Sequence, residues 1–148
     1  MSMSFRIKSK EQFVELWTNI YNTDGKPDWS HILPYYDDKI HFQDSIQEIR
    51  GIKDFRAMTE RLIERSKNLR MKILNIIFEG NIIFFEWEMG LSFKKTPDSK
   101  VFGVSRLKLN DKGKIIEQRD YYDLWGDIFD NIPFISKVYR TFMSKIFG

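Results

Sequence analysis

Residues 82–93, IIFFEWEMGLSF, alternate between apolar and polar side chains with the period of two that is typical of a β-strand. One face is apolar throughout and holds Ile83, Phe85, Trp87, Met89, Leu91 and Phe93. The opposite face holds Glu86, Glu88 and Ser92. The apolar face is therefore predicted to point into the core. Gly90 falls inside this strand, where a glycine often marks a bulge or a sharp bend.

Three further strand-like runs surround this one, at residues 71–79, 101–109 and 115–123. Breaks are predicted at Gly80, in the tract 94–100, and at the hairpin turn NDKG, 110–113. Gly103 is the second glycine inside a strand. The same alternation places the following residues on the inner face: Gly103, Ser105, Leu107, Leu109, Ile116, Gln118, Asp120 and Tyr122.

The sequence before these strands predicts mostly helix. Ser9 and Gln12 have the spacing of a capping box, ahead of a helix whose apolar stripe is Phe13, Leu16, Trp17, Ile20 and Tyr21. A short helix is predicted at 28–36, a strand at 39–44 with Ile40, Phe42 and Asp44 on one face, and a helix from Ile52 to Ser66 with Phe55, Met58 and Leu62 on its apolar side. A basic amphipathic helix is predicted at about 133–147, with Lys137, Arg140 and Lys145.

Helices followed by a long antiparallel sheet indicate an α+β fold. We expect one domain spanning residues 1–148: a strongly curved, cone-shaped antiparallel sheet closed by the N-terminal helices, with an extra C-terminal helix. A cone of this kind encloses a pocket. The predicted lining consists of Trp17, Phe42, Phe55, Met58, Trp87, Met89, Ser105, Gln118 and Tyr122.

Two carboxylates, Asp44 and Asp120, point into this otherwise apolar pocket. Removal from water raises the pKa of a carboxyl group, and a nearby second carboxylate raises it further, which is how enzymes hold an acid and a base near neutrality. Asp44 and Asp120 are thus the candidate catalytic residues. Alternatively, each accepts hydrogen bonds from backbone amides or from a buried donor such as Tyr122, Trp17 or Trp125. An enzyme should place a pocket donor beside either acid, whereas a binding protein should tie both acids to backbone amides.

Composition excludes several other classes. The chain of 148 residues has a net charge of +3 without a Lys/Arg cluster interleaved with stacking aromatics, so nucleic acid is not an expected partner. It contains no cysteine, and His31 and His41 have no metal-ligand spacing and are expected at the surface. Neither a metal nor a cofactor is expected. No signal-like segment or long apolar run occurs, which favours a soluble, cytoplasmic protein and makes a membrane partner unexpected.

Two motifs resemble the nuclear-transport-factor-2-like superfamily, which includes ketosteroid isomerases, limonene-epoxide hydrolases and SnoaL-like polyketide cyclases. They are YYDDKIHFQDSIQEIRGIKDF, 35–55, and DKGKIIEQRDYYD, 111–123, and the likeness runs from about Phe13 to Leu124. A bacterial SnoaL-like group of unassigned function is most similar. The likeness to that group rests on Trp87 and Met89, on the strand end RDYYD and on the tail NIPFISKVYR.

The resemblance implies a mixed site. Asp44 occupies what looks like the general-base position of the isomerases, but Ser105 stands where their oxyanion hole has an acid. Asp120 is similar to the base of the epoxide hydrolases, but Trp87 and Met89 stand where those enzymes have an arginine and an aspartate.

The resemblance also implies a homodimer through the outer sheet face, Tyr121 included. On that face the alternation predicts cross-strand ion pairs of Glu86 and Glu88 with Arg106, Lys108 and Arg119.

The preferred hypothesis is an acid–base enzyme of isomerase, cyclase or hydratase type, acting on a small apolar molecule. The first alternative is a binding module without catalysis, in which the same pocket holds a hydrophobic ligand. The second is a protein that contacts a partner or a membrane surface through its basic C-terminal helix. That helix is expected instead to pack over the cone, to pair in a dimer, or to close the cone mouth as a lid.

Overall fold

Six strands form one sheet, with two longer helices against its concave side and a further helix at the C-terminus. The computed structural model describes residues 4–23, 25–66, 68–93, 96–127 and 132–148, with only the backbone of 91–93 and 96–98. The helices are α1 (Lys10–Tyr21), α2 (Ile52–Arg65), α3 (Leu124–Asp127) and α4 (Pro133–Phe147). The strands are β1 (Tyr36–Gln43), β2 (Glu48–Arg50), β3 (Asn68–Glu79), β4 (Ile82–Phe93), β5 (Thr96–Leu109) and β6 (Ile115–Tyr122).

The strand order is β2-β1-β6-β5-β4-β3. All neighbours are antiparallel except β1 and β6, which are parallel, so the sheet is mixed rather than wholly antiparallel as predicted. Alternation along one strand reports which face a side chain occupies, but not which strand lies beside it. The predicted α+β fold, with a curved sheet and helices, is confirmed.

Strand alternation predicted the inner face of β4 and β5 correctly wherever side chains are described. On β6 it placed Gln118, Asp120 and Tyr122 correctly, but Ile116 was wrong: Ile115 is the buried residue and pairs with Leu109, because the register shifts between Lys108 and Leu109. Ile83, Phe85 and Trp87 are buried on β4, and every second residue of β5 from Val101 to Leu109 is buried. Leu91 and Phe93, also predicted to point inward, lie outside the described side chains. The core is completed by Phe13, Trp17, Ile20 and Tyr21 of α1, by Ile40 and Phe42 of β1, and by Phe55 of α2.

The N-terminus of α1 has the predicted cap with one change. The Gln12 amide donates to Ser9 Oγ at 3.1 Å, while Gln12 Oε1 accepts from the amide of Lys8 at 2.7 Å. In a capping box that second bond would reach Ser9 itself. The cap satisfies backbone amides at the start of the helix and aligns Phe13 and Trp17 with Phe85 of β4, at ring-centroid distances of 5.3 and 4.8 Å.

The helix predicted at 28–36 is wrong. The segment begins with a turn in which the carbonyl of Trp29 accepts from the amides of Ile32 and Leu33. A single 3₁₀ turn, Leu33–Tyr35, follows it. Pro34 has no amide hydrogen with which to extend a helix, and β1 already begins at Tyr36. β5 also starts earlier than predicted, at Thr96, and residues 94 and 95 lie outside the described residues.

Gly103 was predicted to mark a bulge or bend, but the pairing through it is continuous, with Trp87 on one side and Tyr122 on the other. Its role is spatial, because a side chain there would overlap the indole of Trp87. Gly90 likewise pairs regularly, and the irregularity of β4 falls just after it, between Leu91 and Phe93.

Helix α4 has the predicted bounds but not the predicted packing. None of its residues is buried, and Phe134 is 80% exposed. Tyr139 stacks on Trp125 of α3 with ring centroids 5.2 Å apart, which attaches the helix to the rest of the fold. The expectations that α4 packs over the cone or closes its mouth are therefore wrong: no α4 residue lines the internal cavity. Within the described part of the chain, no helix has the length and apolar character needed to cross a membrane.

The outer sheet face carries ion pairs, although not the predicted ones. Glu117 accepts from Arg106 at 3.1 Å and lies 3.6 Å from Lys108 Nζ. Glu88 pairs with Lys100, whereas Glu86 accepts from Asn75. The register decides this: Glu86 stands opposite Val104, Glu88 stands opposite Phe102, and Arg106 faces Arg119, which instead lies over the ring of Tyr121.

Gly103→Ala tests the packing of this inner face. The added methyl group overlaps the Trp87 indole, so we expect a loss of about 1–3 kcal/mol in the free energy of unfolding, measured by urea denaturation. Gly90→Ala is the matched control, since a methyl group at that position meets no atom within 4 Å. Equal stability changes in the two variants would contradict the assigned role of Gly103.

Candidate functional site

A cavity of about 430 Å³ lies between the helices and the inner face of the sheet. Every residue predicted for the site lines it: Trp17, Phe42, Asp44, Phe55, Met58, Trp87, Met89, Ser105, Gln118, Asp120 and Tyr122. The functional roles of these residues stay predictions. The prediction missed other lining residues, among them Tyr21, Trp29, Thr59, Arg61, Arg65 and Met71. Helical spacing offered a signal for two of them, because Arg61 and Arg65 lie one turn apart beside Met58 and Leu62.

Two neutral side chains of the sheet donate hydrogen bonds to Asp120: Ser105 on the adjacent strand β5 and Gln118 two residues earlier on β6. It stands opposite Ser105 in the register of β5 and β6, and Ser105 Oγ donates to its Oδ1 at 2.7 Å. Gln118 Nε2 donates to the same oxygen at 3.1 Å and approaches Oδ2 at only 3.4 Å. Oδ1 is therefore anchored, while Oδ2 keeps the capacity to exchange a proton with a ligand.

Two buried aromatic residues orient these donors. Trp87 Nε1 donates to Ser105 Oγ at 2.9 Å, and Tyr36 OH donates to Gln118 Oε1 at 2.6 Å. The indole has a donor and no acceptor, so the Ser105 hydroxyl hydrogen is left to point at Asp120. Ser105 and Gln118 are 1% and 3% exposed, so water does not compete for these bonds.

The surroundings of Asp120 favour its protonated form. The loss of hydration on burial raises the pKa of Asp120 to about 6; the donors Ser105 and Gln118 oppose this rise, and the Asp44 carboxylate adds to it. No arginine or lysine among the described residues forms an ion pair with it. A carboxyl group that titrates near neutrality can both take up and release a proton under ordinary conditions.

Asp44 has a different environment, because both of its oxygens are occupied. Oδ1 accepts from the backbone amides of Ile46 and Gln47, each at 2.8 Å, and Oδ2 accepts from Tyr122 OH at 3.0 Å. This arrangement stabilises the turn between β1 and β2. Burial, with the Asp44 carboxylate next in importance, raises the pKa of Tyr122, so this hydroxyl stays a neutral donor.

Asp44 meets both expectations, because it is tied to backbone amides, as in a binding protein, and also accepts from the pocket donor Tyr122, as in an enzyme. Asp120 is tied to the pocket side chains Ser105 and Gln118, as expected of an enzyme. Trp17, considered as a carboxylate donor, instead directs Nε1 at Met71 Sδ, 2.9 Å away.

Each histidine lies within hydrogen-bond distance of a protein oxygen. His31 Nε2 lies 2.8 Å from the carbonyl oxygen of Leu16, and His41 Nε2 lies 2.7 Å from Glu48 Oε1. Both side chains are half-buried rather than fully at the surface. Among the residues that the structure describes, no group of three or more His, Asp or Glu side chains could hold a metal ion.

Comparisons with known proteins agree on the fold. A family model of the SnoaL-like domain matches residues 10–118. No match was found among curated proteins. An LEH-like epoxide hydrolase of M. tuberculosis is similar in structure, with a TM-score of 0.64 and 21% identity over 81% of this chain and 86% of that one.

Two further solved structures extend the comparison. A hypothetical protein with a ketosteroid isomerase-like fold from Catenulispora acidiphila, in complex with trimethylamine, has a TM-score of 0.66 and 16% identity over 78% of this chain and 88% of that one. A de novo designed protein with a curved β-sheet has a TM-score of 0.57 and 14% identity over 90% of this chain and 96% of that one. A designed protein among the matches illustrates that this likeness reports the fold and not a function.

Asp120→Asn tests the environment of this acid through stability. The folded-state pKa of about 6 exceeds the unfolded value, so wild-type stability falls as the pH rises from about 4 to about 6. Asn keeps the accepting oxygen but never ionises. We therefore expect the free energy of unfolding of the variant, relative to that of the wild type, to rise by up to about 3 kcal/mol between about pH 4 and pH 7.

Urea denaturation at several pH values measures this difference, and Asp38→Asn, at an exposed position of β1, controls for the loss of one negative charge. A stability difference between Asp120→Asn and wild type that does not change with pH would contradict the raised pKa.

Proposed function

Because the chain belongs to the SnoaL-like domain family, we propose that its cavity binds a small, largely apolar molecule on which Asp120 acts as a general acid–base group. The observation that carries the proposal is the asymmetry of the Asp120 carboxyl group. One oxygen is anchored by Ser105 and Gln118, and the other has no short hydrogen bond within the described protein. A group anchored in this way keeps its orientation while a proton moves at the remaining oxygen.

The chemistry follows from the pKa. With a pKa of about 6, Asp120 is mainly a carboxylate at neutral pH, with about a tenth of the molecules protonated. Oδ2 can then take a proton from a carbon next to a carbonyl group, leaving the electron pair on the substrate as an enolate. Returning that proton to another carbon completes an isomerisation. Taking the proton from water instead would generate a nucleophile for addition.

Tyr122 supplies the second component of the site. Its neutral hydroxyl lines the cavity and is oriented by Asp44. In this proposal Asp44 is a positioning residue: it holds the turn after β1 and the Tyr122 hydroxyl, while Asp120 exchanges the proton. A base and a neutral donor in one apolar cavity are the minimum that proton-transfer chemistry of this kind needs.

Binding without catalysis is the second candidate. The observation in its favour is that Asp44 has both oxygens satisfied and that most of the cavity surface is apolar. Under this alternative the Asp120 carboxyl group merely orients a ligand, and its replacement would change affinity without removing any reaction.

Two assays separate the candidates. NMR follows proton exchange in D₂O over a panel of enolisable ketones and lactones, and epoxide opening is assayed alongside. For a turned-over substrate we expect Asp120→Asn to lower the rate by about 10²–10⁴-fold and Asp44→Asn to lower it less. The wild-type rate should rise with pH through about 6, as the base ionises. Asp38→Asn is the control. A substrate whose rate is unaffected by Asp120→Asn would contradict the assignment, and ligand binding without turnover throughout the panel would favour the second candidate.

We also propose that a second copy of the chain covers the outer sheet face. Large apolar side chains are exposed there on four adjacent strands: Ile77, Phe84, Phe102, Val104 and Tyr121. The register places Ile77 beside Phe84 and Val104 beside Tyr121, with Arg106 opposite Phe84 and Glu86 opposite Val104 between the two pairs. Exposed apolar patches of this kind are typical of protein interfaces.

Sedimentation velocity over a range of concentrations tests the dimer. We expect a dimer mass for the wild type and a monomer mass for Phe84→Glu, because the introduced carboxylate would lose its hydration at the interface. Phe134→Glu is the matched control, since Phe134 is also exposed but belongs to α4. A wild-type monomer mass at all concentrations would remove this proposal.

A further inference from the structure

We propose that the ligand is an amphipathic acid, whose anionic head binds Arg61 and Arg65 at the cavity mouth while its apolar body extends toward Asp120. This inference rests on the proposed function of the same cavity and names the class of molecule that it takes. It is carried by the placement of charge along the cavity, whose open end has two arginines and whose closed end has Asp120.

Exposure identifies the open end. Ile46, which follows β1, is 67% exposed, and Arg61 and Arg65 of α2 are exposed as well, although all three line the cavity. The opposite extreme is formed by Ser105 and Gln118, which are buried. A ligand therefore enters past the two arginines, and its leading end arrives beside the donors that hold Asp120.

The two guanidinium groups are available for a ligand. Neither makes an ion pair or a hydrogen bond with any other described residue. By contrast, Arg50 and Arg106 pair with glutamates, and Arg70 donates to backbone carbonyls. Asp44, which also lines the cavity, has both oxygens committed to other donors.

Their spacing suits one oxyanion. Arg61 and Arg65 are four residues apart on α2, so their Cβ atoms lie about 5–6 Å from each other on one helix face. Guanidinium groups bind carboxylate and phosphate oxygens through paired, charge-assisted hydrogen bonds. Two such groups on one side of the opening can hold a single anionic head between them.

The interior fixes the orientation of the ligand. Between the mouth and Asp120 the wall is formed mainly by apolar side chains, including Met58 and Leu62 on the same helix and Phe42, Phe55 and Trp87 deeper inside. An anionic head would lose its hydration there and meet the Asp120 carboxylate. The head therefore stays outside, and the proton transfer occurs at the apolar end of the molecule, away from the head.

Isothermal titration calorimetry on the full chain tests this with three probes that share one alkyl chain: decanoate, decyl phosphate and decanol. We expect an anionic probe to bind the wild type more tightly than decanol does. The double variant Arg61→Gln/Arg65→Gln should weaken the anionic probe by about 10- to 100-fold and leave decanol unchanged. Arg56→Gln is the matched control, an exposed arginine of the same helix that does not line the cavity. Whichever of decanoate and decyl phosphate loses more affinity identifies the head as carboxylate or phosphate.

Other outcomes overturn the inference in distinguishable ways. In the first case, decanoate and decyl phosphate bind the double variant as they bind the wild type, but the cavity-filling Met58→Trp weakens them. That result removes the head site and leaves the proposed cavity function in place. Equal weakening of decanol and the anionic probes in the double variant also removes the head site. Failure of all three probes to bind the wild type removes the head site together with the proposed apolar-ligand cavity.

Discussion

The hydrogen bond from Ser105 to Asp120 is the interaction on which the site depends, and it is a product of the sheet. The register of β5 and β6 sets the two residues opposite each other, and Gly103 leaves space for the Trp87 ring, which donates to Ser105. A shift of one residue in that register would move Asp120 to the outer face. The position of the Asp120 carboxyl group therefore depends on both the pairing of β5 with β6 and the packing of Trp87 against Gly103.

Two aspartates in one cavity have been given different environments. Asp44 accepts hydrogen bonds from two backbone amides and a tyrosine hydroxyl. Among the described residues Asp120 receives only neutral side-chain donors and forms no ion pair, and burial raises its pKa. Pairs of acids whose surroundings differ in this way are a recurrent feature of acid–base sites. The positive charges of Arg61 and Arg65 lie at the other end of the cavity, where they can bind a ligand but do not pair with Asp120.

Alternation along single strands predicted the part of the cavity lining that β4, β5 and β6 contribute, because inward side chains recur at every second residue whatever the strand order. It was insufficient for interactions between strands: the parallel pairing of β1 and β6 and the partners of Glu86 and Glu88 depend on the register, which no single strand encodes. Helical periodicity predicted the bounds of α4 correctly, but not that none of its residues is buried or that it stacks on Trp125 of α3. The helix prediction around Pro34 was wrong for a local reason, since a short apolar run before a proline does not specify a helix. Arg61 and Arg65 were missed because their helical spacing beside Met58 and Leu62 was not used, and exposed charges were assigned to the solvent.

The central claim is that Asp120 titrates near neutrality while its Oδ2 is open to the cavity. Carboxylate-detected NMR titration of the wild type, with the Asp120→Asn variant to assign the resonance, measures this directly. We expect a pKa of about 6 for Asp120. A value below about 4 would place Asp120 among ordinary, well-solvated carboxylates and would contradict its proposed role.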